Sequence, residues 1–501
     1  MEGANRDPKT HDRQPVWAWA VFLSVSLALF AAGIGWLPLM DRDEPRFAEA
    51  SREMLESGDW VVPHLNGQYR FDKPPLIYWL QAGCIVLFGP SELAVRLPSV
   101  LCATLTGLLI ALWGRRLAGD RAGLMAGIVW VTCPQAFVHA HLAVADMAMV
   151  LGFTLTSWAG WEVHQAGLQG KSATRWIWTF FASLALGFLA KGPVAGLAAL
   201  PAILLACGRL ASPNETPSLW RRPRIWWAGS LGALGLVAIW GLPALWTTRG
   251  DYFEVGIGKH VVARSVGVLE GHGLKGLRGY LGSLPFYALT LLVGFLPWSP
   301  WLVKSLWRLR SSGPRPTLDR YLAAGIAGVF VVFTLIRTKL PHYTLPAFPL
   351  IALWLGKTLA GDPLAPRVFR RCALGSALVL LLVSLPGLGW FGGQLPVPRL
   401  AAACRPWITP ATEVATLEFQ EPSLYWYLRP TGGPWIQHLE SELQAYEFLA
   451  KPGSRVCVLP QGEVFQRLSA RFPDLKTLGA QGFNPANGKR VELRALVRVN
   501  P

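Results

Sequence analysis

Charge is what this sequence has least of. Asp, Glu, Lys and Arg make up only 15% of its 501 residues, against roughly 25% in an ordinary soluble domain. That deficit excludes a disordered chain, a coiled coil, a fibre and most soluble enzymes. Acidic residues are the scarcer kind, 30 against 47 Lys and Arg, which leaves a net charge of +17. Cysteines number seven, with no CxxC and no Cys/His metal spacing. Cys84, Cys102, Cys133, Cys207 and Cys372 lie in or beside apolar segments and read as small buried hydrophobes. Cys404 and Cys457 lie in the polar C-terminal region, where an oxidising compartment would let them pair.

What is present in their place is apolar sequence. Hydrophobic residues reach 52% and the mean hydropathy is +0.34. Long apolar runs recur, so the expected class is an α-helical polytopic membrane protein. Candidate spans are 16–38, 96–114, 122–140, 143–163, 175–190, 193–208, 225–247, 283–303, 320–336, 343–360 and 370–391. With the short apolar stretches counted, about 11–13 transmembrane helices are expected. The first run, Val16 to Leu39, is too long for a signal-peptide h-region and reads as an anchor. The stretch 74–90 is short and bounded by Pro74-Pro75 and Gly89-Pro90. It reads as a helix lying on the membrane surface.

The basic residues orient the chain. With residues 1–15 as a cytoplasmic tail, each short inside loop is basic: Arg115, Arg116 and Arg121; Lys171 and Arg175; Arg209 and Arg221 to Arg224. The same holds for Lys304 to Arg320 and for Lys357 to Arg371. That is the positive-inside pattern, and it accounts for the +17 without nucleic acid as a partner. The membrane domain then covers 16–391, with extracytoplasmic loops 39–95 and 248–282, and 392–501 is an extracytoplasmic domain. There, Val414–Phe419, Arg455–Leu459 and Val491–Val499 look like strands, and Glu440–Leu449 and Glu463–Ala470 like helices. That predicts a small α/β domain.

Ionisable residues are almost absent from the spans and collect on the outer side: Asp43, Glu44, Arg46, Asp72, Lys73, Asp146, Lys191, Lys259, Arg264, Lys339 and His342. A transporter would place such groups near the bilayer midplane. Their one-sided clustering favours a site at the membrane–water boundary; the plain alternative for each is an ordinary loop charge. In the first loop, Asp43 suits a helix N-cap and Pro45 its first turn. Further on, Tyr69-Arg70-Phe71-Asp72-Lys73 runs into the double proline, which holds Asp72 and Lys73 at a defined edge.

These motifs carry a resemblance. The segment "DEPRFAEASREMLESGDWVVPHLNGQYRFDKPPLIYWL", then "RLPSV", "ADM" at 145–147, "LAKGP" at 189–193, "EGHG" at 270–273 and "RTKLPHYTLPAFP" at 337–349 are similar to the aminoarabinose transferases that modify lipid A. They also resemble the wider polyprenyl-phosphate-dependent glycosyltransferases of the GT-C fold, among them protein O-mannosyltransferases. The resemblance implies an inner-membrane enzyme that moves a sugar from a polyprenyl phosphate, undecaprenyl phosphate in a bacterium, to an acceptor at the outer leaflet. Lipid A is the first acceptor to expect, and a protein hydroxyl or a polysaccharide the second.

It also implies that Asp43 is the catalytic carboxylate and that Asp72 is functional. Asp72 stands where aminoarabinose transferases usually have Glu, and Arg70 where the family has Tyr. An acceptor hydroxyl needs a base, which a carboxylate supplies. Inversion needs no covalent intermediate. The departing lipid phosphate gains negative charge, which Arg46, Lys73, Lys191, Arg264, Lys339 and Tyr343 are placed to stabilise. Glu44, Tyr69, Asp146, His260 and His342 are candidates to line the site. No cofactor and no metal are required for a leaving group held this way. Zinc at His260 and His272, as some family members have in that loop, has no ligand spacing to support it here. The contrasting class is a lipid or solute transporter.

Overall fold

The computed structural model describes residues 13–212, 215, 218–256, 258, 276–308, 315–362 and 365–499. The chain opens with α1 (Val16–Ala31), α2 (Asp43–Ser57), a hairpin of β1 (His64–Leu65) and β2 (Gln68–Tyr69), and α3 (Leu76–Phe88). Then come α4 (Glu92–Ala118), α5 (Asp120–Val131), α6 (Pro134–Ala140), α7 (Asp146–Leu168), α8 (Thr174–Lys191), α9 (Leu200–Ala206) and α10 (Pro223–Thr247). Helices over Phe286–Gly294, Ser299–Arg308, Thr317–Leu335 and Phe348–Ala360, and a helical run over Pro366–Gly392, complete a polytopic membrane domain.

Among the described residues, five helical runs are long and apolar enough to cross a bilayer, and six if the 64° bend between α5 and α6 lies within one span. The other described helices are shorter or, like the unbroken 23-residue α7, less apolar. The expected spans 175–190 and 193–208 lie in one helical run, Thr174–Ala206. Gly192 turns that run back (φ 75, ψ −151). A Cβ at Gly187 would sit 3.0 Å from the Ala195 Cβ, so the return leg packs on α8. The 13-residue α3 is about 20 Å long, too short for a hydrocarbon core of about 30 Å.

Helix contacts are made at glycine. Any Cβ at Gly152 of α7 would lie 3.0 Å from the Gly187 Cα of α8. At Gly123 of α5 it would overlap the Ala111 carbonyl of α4. Such small residues let backbones approach closely, which is how apolar helices gain packing energy in lipid. The outward side of α10 leaves Trp227, Leu231, Ile239, Leu242 and Trp246 exposed, as a lipid-facing surface requires.

The molecule has two ends. At one, Arg116 of α4 pairs with Glu162 of α7 at 2.9 Å and lies over Trp158 and Trp176. At the other, Asp146 begins α7 and meets Lys191, the last residue of α8, at 2.5 Å. The basic loops thus gather at one end and the acidic first loop at the other.

The C-terminal unit is a five-stranded mixed sheet in the order β4-β3-β5-β7-β6. Its strands are β3 (Glu413–Leu417), β4 (Gln437–Leu439), β5 (Arg455–Pro460), β6 (Lys476–Asn484) and β7 (Lys489–Arg498). β3 runs parallel to β4 and β5, and β7 runs antiparallel to β5 and β6. β4, β6 and the helices Pro396–Cys404 and Ser423–Leu428 carry little alternation and were not expected from the sequence. Cys404 and Cys457 do not pair. Cys457 packs on one face of the sheet with Leu417 and Leu459, and Cys404 on the other with Val456 and Val458.

This unit docks on α2. Arg429 reaches Glu49 at 2.8 Å and Glu56 at 2.7 Å, and Arg52 donates to the Tyr425 carbonyl at 2.9 Å. Asn66 exchanges two hydrogen bonds with the Ile436 backbone, both at 2.9 Å. Asp41 accepts from the Ser423 amide at 2.8 Å and its hydroxyl at 2.5 Å.

Candidate active site

The first-loop acids have different surroundings. Arg42 is the N-cap of α2, and Asp43 is the first helical residue and caps nothing. The Asp43 side chain is 70% exposed, with Arg46 at 3.8 Å. Its neighbour Glu44, about 100° further round the helix, is buried and grips Arg96 through two contacts of 2.8 Å. Glu44 also accepts from the amides of Ala143 at 2.8 Å and Met40 at 3.0 Å. It therefore ties the loop to α4 rather than facing a site.

A cavity of about 340 Å³ opens at the same end of the molecule. Its walls are Phe71 to Pro74, Met149, Phe188, the turn Lys191–Val194, α10 from Val237 to Leu245, Tyr252, Phe253, Gly256, Phe333, Ile336, Thr338, His342 and Tyr343. Most of this surface is apolar, and the charges sit in two clusters. In the first, Asp72 pairs with Lys73 at 2.7 Å and Arg70 at 3.0 Å. Arg70 also donates to the Tyr78 hydroxyl at 3.0 Å and lies over the Phe47 ring. Burial pushes the Tyr78 phenol up to about 12, so it stays neutral and can accept that bond. Tyr252 donates to the Lys73 carbonyl at 2.5 Å, pinning the turn before Pro74. Arg70 and Tyr78 both lie within electrostatic reach of Asp43.

In the second cluster Lys191 meets Asp146, whose other neighbour is His342 at 3.9 Å. The His139 ring lies 5.1 Å from that of His342, and the Tyr343 ring lies 5.9 Å from the Lys191 ammonium. The turn at Gly192 and the 3-10 turn Pro341–Ala347 bring these residues together.

Of the residues singled out in the sequence, Asp72, Lys73, Lys191, His342 and Tyr343 line the cavity, and Asp146 stands directly behind Lys191. Asp43 and Arg46 stand outside that lining, as do Tyr69, which is 49% exposed on β2, and Glu44. Lys339 is buried and donates to three carbonyls, of Phe333 at 3.0 Å, Thr334 at 2.5 Å and Ile336 at 2.6 Å. All three of its protons cap the helix Thr317–Leu335. Lys259, His260, Arg264 and His272 lie outside the described residues. Sequence reasoning missed Tyr78, Tyr252, Trp240 and His139, and gave Arg70 no role. Nothing marks such residues until distant segments meet.

The arrangement suits a lipid-linked anion. Two ammonium groups reach a cavity whose walls are mainly apolar, where a phosphate is held far more strongly than in water.

Comparison with known proteins gives the same class. Residues 72–241 match the family of dolichyl-phosphate-mannose-protein mannosyltransferases. The chain is 31% identical over 365 residues to an undecaprenyl phosphate-alpha-4-amino-4-deoxy-L-arabinose arabinosyl transferase of Edwardsiella ictaluri, covering 70% of this chain and 60% of the relative. It is 31% identical over 378 residues to the Pseudomonas aeruginosa protein of that name, covering 71% and 64%. The chain thus spans about three fifths of the length of the curated relatives it matches. The crystal structure of ArnT from Cupriavidus metallidurans bound to undecaprenyl phosphate is similar in fold, with a TM-score of 0.72 and 20% identity over 97% of this chain and 100% of that one.

Proposed function

We propose, from the premise that the chain is related to the aminoarabinose and protein-mannosyl transferases and has their GT-C membrane fold, that it is a glycosyltransferase using a lipid-phosphate sugar donor. The donor is a sugar on a polyprenyl phosphate, undecaprenyl phosphate in a bacterial inner membrane. The acceptor is an envelope molecule at the outer leaflet, lipid A first, a protein or polysaccharide hydroxyl second. The basic end of the membrane domain is cytoplasmic, and the cavity and the C-terminal unit are extracytoplasmic.

The observation that carries this reading is the cavity: Lys73 and Lys191 project into a largely apolar chamber at one end of the helices. The phosphate lies against these two ammonium groups. The acceptor oxygen attacks the anomeric carbon from the side opposite the phosphate and forms the new glycosidic bond. The bond between that carbon and the phosphate oxygen breaks, and polyprenyl phosphate departs carrying the electron pair. The configuration inverts. Asp43 takes the acceptor proton if the acceptor is a hydroxyl; an acceptor phosphate needs only to be oriented. Asp72, held by Arg70 and Lys73, orients the sugar. No step calls for a metal.

The test is mass spectrometry of envelope lipids, proteins and polysaccharides from cells with the wild-type protein, without it, or with Asp43→Asn. A glycan-sized mass present in the wild type and absent from the other two supports the reading and names sugar and acceptor. No difference in any of the three fractions overturns it.

A further inference from the structure

The start of α2 lacks the usual means of holding itself. Its N-cap residue is Arg42, whose side chain makes no cap hydrogen bond, and the first amides of any helix have no partner within it. Asp43 follows as the first helical residue. Its side chain is 70% exposed, and among the described residues it makes one ion pair, with Arg46 at 3.8 Å, too long for a hydrogen bond. The direction of that carboxylate is therefore set by the backbone on either side. Residues 38–42 form neither helix nor strand. The membrane domain holds the early part of this stretch: Arg96 donates to the Pro38 carbonyl at 3.1 Å, and the Met40 amide donates to Glu44 at 3.0 Å.

The two residues next to Asp43 are held from the other side, by the C-terminal unit. Asp41 accepts from both the amide and the hydroxyl of Ser423, at 2.8 and 2.5 Å. Arg42 pairs with Glu421 at 3.4 Å, and Glu421 is itself held by Asn484 at 3.1 Å. The Leu39 amide donates to the Tyr427 hydroxyl at 2.6 Å, which donates in turn to Glu92 at 2.9 Å. Ser423 and Tyr427 are four residues apart on the helix Ser423–Leu428 and so share one face. Among the described residues, the side chains of Asp41 and Arg42 make no hydrogen bond or ion pair to the membrane helices. A general base works only within hydrogen-bond reach of the proton it takes, and a displacement of about 1 Å costs on the order of a hundredfold in rate.

We propose that the C-terminal unit sets the position of Asp43, with Glu421, Ser423 and Tyr427 as positioning residues that act through the backbone of residues 39–42. The inference rests on the reading that Asp43 takes the acceptor proton. The experiment uses the purified full chain in nanodiscs, with labelled undecaprenyl-phosphate sugars and an envelope extract as acceptor. It compares the wild type, Asp43→Asn, and a double variant, Glu421→Gln with Ser423→Ala. The readouts are the transfer rate at saturating donor and the affinity for fluorescent undecaprenyl phosphate. The double variant should lose at least about tenfold in rate and keep its affinity within about twofold. Should it fail to bind, as an unfolded chain would, Ser423→Ala alone is read the same way, with a loss of at least about threefold. A smaller loss beside an inactive Asp43→Asn overturns the inference while the role of Asp43 stands. Rate and affinity falling together in Ser423→Ala also overturn it, since that is a general loss of structure. An active Asp43→Asn, or no transfer by the wild type, overturns the reading beneath the inference and the inference with it.

Discussion

Asp43 and Glu44 are adjacent in sequence and make opposite predictions. Asp43 is exposed at the start of α2, so Asp43→Asn should leave the thermal midpoint within about 1 °C, since surface changes cost little. Sugar transfer should fall by at least about a hundredfold. Glu44→Gln should instead destabilise the protein by about 3–5 kcal/mol, because it leaves the Arg96 guanidinium buried without its anion. Thermal melts in detergent and a transfer assay separate the two. Lys339 offers a similar contrast. Lys339→Met removes a helix cap made through three carbonyls. It should lower stability by about 1–2 kcal/mol and leave affinity for undecaprenyl phosphate unchanged. The motifs containing these residues were legible in the sequence, but their division of labour was not. Whether Glu44 faces solvent or Arg96 depends on the rotation of α2 against α4, some fifty residues away.

The element that joins site to periphery is α2. Its N-terminus presents Asp43; further along, Glu49, Arg52 and Glu56 face the C-terminal unit, and Glu53 accepts from the Asn66 and Gly67 amides of the β1–β2 turn. Two carboxyls at this junction are perturbed upward. Burial raises Asp41 to about 6, against the opposing Ser423 hydrogen bonds, and burial with Glu49 nearby raises Glu53 to about 7. A carboxyl whose folded pKa lies above its unfolded value holds its proton longer in the native state. Its contribution is full below about pH 4 and is lost as the pH rises through 6 to 7. Thermal midpoints should therefore fall between pH 5 and pH 7.5, and Asp41→Asn with Glu53→Gln should flatten that slope, as scanning fluorimetry across this range would show. The membrane helices make their own prediction. Gly123→Ala drives a methyl into the α4 backbone and should cost about 1–3 kcal/mol, read by the same melts. Spans were readable as apolar runs because lipid demands them. Their breaks at Gly192 and between α5 and α6 were less so, since a kink inside a long apolar stretch changes geometry without changing composition.

Across the whole molecule, the cavity is assembled from the first loop, the α8 turn, α10 and the turn before Phe348. The sequence led to the expectation that these charged residues share one side of the membrane; only the fold brings Lys191, Asp146 and His342 together. The C-terminal unit offered no catalytic motif; it packs on α2 through Arg429 and Arg52. The most direct test of the proposed activity uses the purified full chain in nanodiscs with a labelled undecaprenyl-phosphate sugar and an envelope extract as acceptor. Label should pass to an acceptor in the extract with the wild type, and transfer should fall to background with Asp43→Asn of unchanged thermal midpoint. Equal transfer by the two proteins would contradict the role of Asp43. No transfer by folded wild type, from any lipid-phosphate sugar offered, would contradict the glycosyltransferase assignment itself.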